Sequence, residues 1–185
     1  YVETDTPGPL SVYGRSKLAG EQAVREVAPR WAIARTAWLY GVHGRNFVKT
    51  IATKAAAGES LRVVDDQVGS PTYAGDLARA LAQVMTEGLT GVFHLTNAGS
   101  CSWYEFTREI LRQAGFGATP VAPITSHELN RPARRPAYSV LANTAWQAAG
   151  HPPLRPWSDG LAAMLEAWRA AGPSARAYLG ICATL

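Results

Sequence analysis

Short apolar runs of β-forming residues alternate with amphipathic stretches along most of the chain, and this alternation restricts it to a layered α/β fold. Residues 31–36, 61–64, 92–95 and 120–124 are too short and too apolar for surface helices and read as strands. Helical spacing predicts helices over 12–28, 47–57, 74–87, 143–149 and 157–171, with a further helix starting at Ser102. Strands separated by helices favour parallel pairing.

Local punctuation agrees with this division. Pro29 stops the first helix, Gly58 ends the second and Gly88 closes the third. Leu77, Leu81, Val84 and Met85 are expected on the buried face of the third. Ser102 and Glu105 have the spacing of a capping box, followed by Trp103, Phe106, Ile110 and Leu111 as an apolar face. Leu161, Met164, Leu165 and Trp168 form a stripe on the last helix. Residues 1–11, 67–73 and most of 119–137 read as loops, and 172–185 shows no pattern.

Nearly half of the 185 residues are apolar, enough for a sizeable core. A net charge of +4 without an extended basic face gives no nucleic-acid signature. No apolar stretch has the length of a membrane span, and no signal peptide opens the chain. Cys101 and Cys182 are too few for a disulfide framework or a cysteine zinc site, which suits a reducing cytoplasm. His94 lies in an apolar strand and reads as core, while His43, His127 and His151 are scattered and form no metal set. The first residue is Tyr1, and we expect the chain to begin inside a longer protein.

Tyr13 and Lys17 stand four apart on the first helix, one turn apart on one face. Reducing a ketone by hydride requires a proton at the carbonyl oxygen. A free tyrosine, with a pKa of about 10, is a poor donor-acceptor at neutral pH. Bringing it to neutrality takes about 4 kcal/mol of preference for the phenolate. One close ammonium in a partly dehydrated site supplies about that much at an effective dielectric near 20. The bare Tyr-x-x-x-Lys spacing also occurs on solvated helix faces, so its context decides.

That context is Val12-Tyr13-Gly14-Arg15-Ser16-Lys17-Leu18-Ala19-Gly20-Glu21, which resembles the catalytic helix of extended short-chain dehydrogenases. Further along come Arg35-Thr36-Ala37-Trp38-Leu39-Tyr40-Gly41, Gly44-Arg45-Asn46-Phe47, the block from Asp65 to Tyr73 (DDQVGSPTY), Ser102-Trp103-Tyr104-Glu105-Phe106, and Arg131-Pro132-Ala133-Arg134-Arg135-Pro136. In this order they resemble the motifs of dTDP-4-dehydrorhamnose reductases.

The resemblance implies the C-terminal part of a Rossmann-type parallel sheet plus a small α/β substrate-binding lobe. Residues 1–38 and 71–98 would belong to the dinucleotide-binding domain, 39–70 and 99–171 to the substrate lobe, and 172–185 to a tail. It also implies reduction of the C4 ketone of dTDP-4-dehydro-L-rhamnose with NADPH or NADH. Tyr13 would be the general acid, and Lys17 would tune it and hold the nicotinamide ribose. Thr36 and Ala37 would also line the cofactor site. A homodimer, and magnesium at a subunit interface, are compatible with the resemblance but not readable from these residues. Another dTDP-deoxysugar ketoreductase and a non-catalytic regulatory homologue are the alternatives; retention of Tyr13 and Lys17 disfavours the second.

Candidate substrate residues carry structural alternatives. Trp38 offers an indole face to a sugar ring, or it packs in the core behind a strand. Asn46 either binds substrate or caps a helix. Phe47 is core or a thymine stacker. Gln67, Ser70 and Thr72 face the nucleotide or satisfy their own loop. Arg131, Arg134 and Arg135 clamp a diphosphate or form a solvated basic loop. No Gly-rich dinucleotide turn occurs in the sequence: Gly41-Val42-His43-Gly44 follows a strand but lacks a third glycine opening the next helix. The fingerprint and a third catalytic Thr or Ser are expected upstream of Tyr1. The isolated chain is therefore expected to be inactive, with edge strands and apolar faces exposed.

Overall fold

A computed structural model describes residues 1–129, 133 and 135–172. Its elements in chain order are α1 (Val12–Val27), β1 (Ala32–Arg35), β2 (Leu39–Tyr40), α2 (Phe47–Ala56), β3 (Leu61–Val64), β4 (Val68–Gly69), β5 (Thr72–Tyr73) and α3 (Ala74–Thr86). They continue with β6 (Gly91–His94), β7 (Cys101–Ser102), α4 (Trp103–Ala114), β8 (Val121–Ile124), α5 (Ser126–Leu129), α6 (Thr144–Ala148) and α7 (Trp157–Ala170). The Arg131 and Arg134 positions and most of the 172–185 tail lie outside the described residues.

The described strands pair two by two. β1 lies parallel to β6, β2 to β5 and β3 to β8, each pair joined through intervening helices as the alternation predicted. Two expectations change. Residues 67–73 are not a plain loop but carry β4 and β5, and β4 pairs antiparallel with β7, aligning Val68 with Ser102 and Gly69 with Cys101. Two-residue strands leave no periodicity to read, because their pairing is set by distant partners. Met85 is also not on the buried face of α3 but 80% exposed. The buried stripe is Leu77, Ala80 and Val84, and a residue next to Val84 is rotated about 100° from it.

Buried side chains fall into two clusters. One gathers α2, α4 and α7 around β3, with Val48, Ile51, Phe106, Ile110, Leu161 and Met164 at its centre. The other joins Leu77, Val84, Phe93 and Leu95 with Trp146. α6 therefore packs against β6. The predicted stripe of α7 is buried throughout, and so are the apolar positions of α4 except Trp103, which is partly open.

Ser102 is the hinge-pin between these layers. Its Oγ accepts the Glu105 N–H at 3.0 Å, while the Glu105 carboxylate accepts the Ser102 N–H at 2.7 Å, completing the capping box. The same hydroxyl donates to Asp65. Replacing Ser102 by Ala removes the cap and strands that carboxylate partner, and is expected to lower unfolding free energy by about 1–2 kcal/mol in urea titration of the chain.

Candidate active site

The N-terminus of α1 is set by Ser11, whose Oγ accepts the Gly14 N–H at 3.1 Å. Glycine at 14 permits the preceding loop to close in, since a Cβ there would lie 3.0 Å from the Pro9 Cβ. From this start Tyr13 and Lys17 project from one face, with the Lys17 Nζ 6.0 Å from the Tyr13 ring centroid. Both border a cavity of about 720 Å³ together with Ser16, Thr36, Ala37 and Trp38. The helix itself contributes no buried residue, and Val12, Tyr13 and Val27 are each more than 70% exposed.

What ties α1 to the body is charge. Arg35, at the end of β1, donates from Nε and Nη2 to the two carboxylate oxygens of Glu21 at 2.8 and 2.7 Å. This fork is the strong geometry for an ion pair. The Arg35 hydrogen bonds outweigh the cost of burial and hold the Glu21 carboxyl below its ordinary value. The motif glutamate and the arginine one residue before Thr36 thus set the helix against the loop that follows β1.

Thr36 and Ala37 sit on the cavity wall, and the Thr36 Oγ1 is buried with no hydrogen-bond partner among the described residues. Trp38 has a left-handed backbone, φ 45°, the single such non-glycine among the described residues. That conformation costs a residue with a Cβ about 1–3 kcal/mol, so the surroundings must impose it. Its indole lies flat on Trp103, ring centroids 3.6 Å apart and planes 9° from parallel.

Trp103 also borders a second cavity of about 500 Å³, with Phe47, Lys54, Arg62, Gln67 and Arg135 on its rim. Phe47 packs 4.5 Å from Trp103 at 56°. Aromatic faces next to cations suit an anionic ligand that carries a flat ring. Arg62 is 3.1 Å from Glu128, and Lys54 2.6 Å from Glu59, so both cations are partly neutralised by exposed carboxylates.

The other sequence candidates have structural duties. Asn46 is the N-cap of α2: its Oδ1 accepts the Lys49 N–H at 3.2 Å and its Nδ2 donates to the Gly41 carbonyl at 2.7 Å. Ser70 and Thr72 are fully buried; Ser70 accepts the Leu141 N–H and Thr72 donates to the Ser70 carbonyl. Both hydrogen bonds serve the backbone of their own and a neighbouring segment, the structural alternative the sequence left open. Gln67 donates to Ser126 at 2.7 Å, while Asp66 accepts both the N–H and the hydroxyl of Ser126. The acidic block is thus mostly a brace between β3, α4 and α5. His94 is buried as expected, its Nδ1 3.2 Å from the Ala142 carbonyl. Cys101 is buried, and burial pushes its thiol up to about 12.

Sequence reasoning missed Lys49, Gly69 and the double position of Trp103. Lys49 is nearly sealed, and its ammonium donates to the carbonyls of Val42 and Gly44, holding the loop before α2. Its burial lowers its pKa. A lysine inside an apolar helix segment was the available signal. Among the described residues, no group of three His, Cys, Asp or Glu is placed to hold a metal, and no helix is long and apolar enough to cross a membrane.

Parallel β pairs crossed by helices, with Tyr13 and Lys17 sharing a cavity wall with β1, make this an α/β fold of the Rossmann-type extended short-chain dehydrogenase class. Residues 1–170 match the model described as RmlD substrate binding domain, and the chain belongs to that family. It is 44% identical over 169 residues to a dTDP-4-dehydrorhamnose reductase of Mycobacterium tuberculosis, covering 90% of this chain and 56% of that protein. It is 45% identical over 162 residues to a probable dTDP-4,6-dihydroxy-2-methyloxan-3-one 4-ketoreductase of Streptomyces antibioticus, covering 87% of this chain and 55% of the relative. A crystal structure of a Bacillus anthracis dTDP-4-dehydrorhamnose reductase in complex with NADP superimposes with a TM-score of 0.88 at 38% identity, covering 90% of this chain and 59% of that one. The chain thus spans little more than half the length of these relatives.

Proposed function

We propose that the complete protein reduces the C4 ketone of dTDP-4-dehydro-L-rhamnose to dTDP-L-rhamnose, and that this chain carries its proton donor and its substrate lobe. The observation that carries the reading is the shared face of Tyr13 and Lys17, opening into one cavity with Trp38. The names of the Mycobacterium tuberculosis and Bacillus anthracis relatives support the substrate and a nicotinamide cofactor.

Reduced nicotinamide dinucleotide, when bound, supplies the hydride. Lys17, Thr36 and Ala37 are the residues here that would hold its nicotinamide end, and the unpartnered Thr36 hydroxyl fits a polar ligand in that cavity. Tyr13 delivers a proton to the C4 oxygen as the carbonyl carbon becomes tetrahedral, leaving an alcohol. Lys17 stands on the same face, its Nζ 6.0 Å from the Tyr13 ring centroid. The hexose lies by Trp38. The nucleoside diphosphate lies in the second cavity, its thymine near Phe47 and Trp103 and its phosphates facing Arg135.

The length that the relatives have beyond this chain would supply the Gly-rich dinucleotide turn and cover the open side of α1, where Val12, Val24 and Val27 are exposed. Excluding water there strengthens the Tyr13–Lys17 interaction. Substrate and cofactor are both cytoplasmic metabolites, and we place the enzyme in the cytoplasm. A second reading keeps the chemistry and changes the sugar to another dTDP-4-ketohexose; the Streptomyces antibioticus relative favours it.

The test is loss of NADPH absorbance with purified complete protein and dTDP-4-dehydro-L-rhamnose, with dTDP-L-rhamnose identified as product. The 185-residue chain alone is expected to show no NADPH oxidation. No turnover by the complete protein on any dTDP-4-ketohexose would sink the proposal.

A further inference from the structure

Trp38 belongs to the cavity of Tyr13 and Lys17, and Trp103 to the cavity of Phe47 and Arg135. Their stacked indoles are therefore the partition between the two. Three features fix that partition. The Trp38 backbone is left-handed, and its carbonyl accepts the Thr72 N–H at 3.2 Å, which anchors it to the start of β5. The Trp103 ring covers one indole face. Gly69 supplies the third: a Cβ built there would lie 2.4 Å from Cε2, 2.6 Å from Nε1 and 2.7 Å from Cζ2 of the Trp38 indole. No side chain other than hydrogen fits against the ring in this position.

Gly69 and Trp103 are also locked to each other. Gly69 pairs with Cys101 across the β4–β7 ladder, and Trp103 opens α4 immediately after the Ser102 cap. Ladder and cap thus hold the two contacts on the indole as one unit.

We propose that Gly69 and Trp103 are positioning residues that set the Trp38 indole against the hexose, so that they decide how tightly the sugar part of a nucleotide sugar is held. This rests on the nucleotide-sugar reading given above. An indole presents a hexose with a flat apolar face and one N–H, and its position decides whether the C–H side of the ring can meet it. Adding one methyl at 69 displaces the indole without touching any polar group of the second cavity.

The test uses the full 185-residue chain with two probes, dTDP and dTDP-L-rhamnose, titrated by tryptophan fluorescence. In wild type the sugar-bearing probe binds more tightly than dTDP. Gly69→Ala is expected to reduce that preference about tenfold. Circular dichroism reports the geometry independently: stacked indoles give an exciton couplet, which Trp38→Phe and Trp103→Phe abolish and Gly69→Ala diminishes. Trp38→Ala removes every ring atom that the added methyl would meet, so in the Trp38→Ala background Gly69→Ala changes neither fold nor preference.

If Gly69→Ala keeps both the couplet and the preference, the positioning role is wrong. If Gly69→Ala unfolds the chain and the Trp38→Ala, Gly69→Ala pair is also unfolded while Trp38→Ala alone is folded, the collision is not with the indole and the proposal falls too. A wild-type chain that shows the couplet but binds neither probe overturns the nucleotide-sugar reading and takes this inference with it. Binding of both probes with equal affinity removes the inference alone.

Discussion

Tyr13→Phe in the complete protein is expected to lower turnover by about a hundredfold or more while leaving substrate affinity within about twofold. In the proposed reaction the phenol would contribute a proton as charge develops on the carbonyl oxygen, a contribution absent from the ground-state complex. The ring itself remains, so packing beside Lys17 is preserved. Stopped-flow or steady-state NADPH consumption gives kcat and KM separately. A loss confined to KM would make Tyr13 a substrate contact and move the proton donor elsewhere. Lys17→Met is expected to damage both turnover and cofactor affinity, because one ammonium serves both.

The second large effect is on stability. Asp76, 5% exposed in the first turn of α3, receives Arg155 through Nε at 2.9 Å and Nη2 at 2.7 Å, and Asn97 at 2.8 Å. Arg79 reaches the same carboxylate from one turn along. Asn97 in turn accepts the Tyr73 N–H at 2.8 Å and donates to the Arg155 carbonyl at 3.1 Å. The network joins α3, the segment after β6 and the approach to α7. Removing Arg155 leaves a buried carboxylate with one solvent-exposed cation, and Arg155→Ala is expected to cost about 3 kcal/mol in urea unfolding of the chain.

The pH dependence follows from the same group. Burial raises the Asp76 carboxyl, but hydrogen bonds from Arg155 and Asn97 and the charges of Arg155 and Arg79 outweigh it, so its folded value lies below the ordinary 3.8. Its stabilisation is complete above the unfolded value and is lost as pH falls through the folded one. His94 acts at higher pH. Burial keeps its folded value below 6.5, so the unfolded chain takes up a proton first and stability declines as pH drops below that value. Wild type should lose stability in two acid phases, the first near the histidine and the second below the carboxylate range. In Arg155→Ala the lower phase moves up in pH. A lower phase that stays in place would assign it to other carboxylates, such as Glu3 and Glu21, which are also held low.

The helices and the longer strands were legible because each carries its own periodicity and punctuation. The capping box at Ser102, the stripe of α7 and the parallel sense of the longer strands needed only local pattern and the parallel rule, though not which strand pairs with which. β4 and β5 were not legible: two residues hold no period, and their partners lie over thirty residues away. Tyr13 and Lys17 were legible because their spacing is a single helical turn. Trp38 was found, but its seat on Gly69 and Trp103 was not, since three separate segments build it. For Ser70 and Thr72 the sequence left two readings open, because a polar loop residue shows its burial and its backbone partner only once the chain is folded.

α1 owes its place to one forked ion pair and to no core of its own. The two cavities therefore rest on separate foundations. The second is walled by the packed interior of α2, β3 and α4, whereas the first depends on a helix that buries none of its own residues.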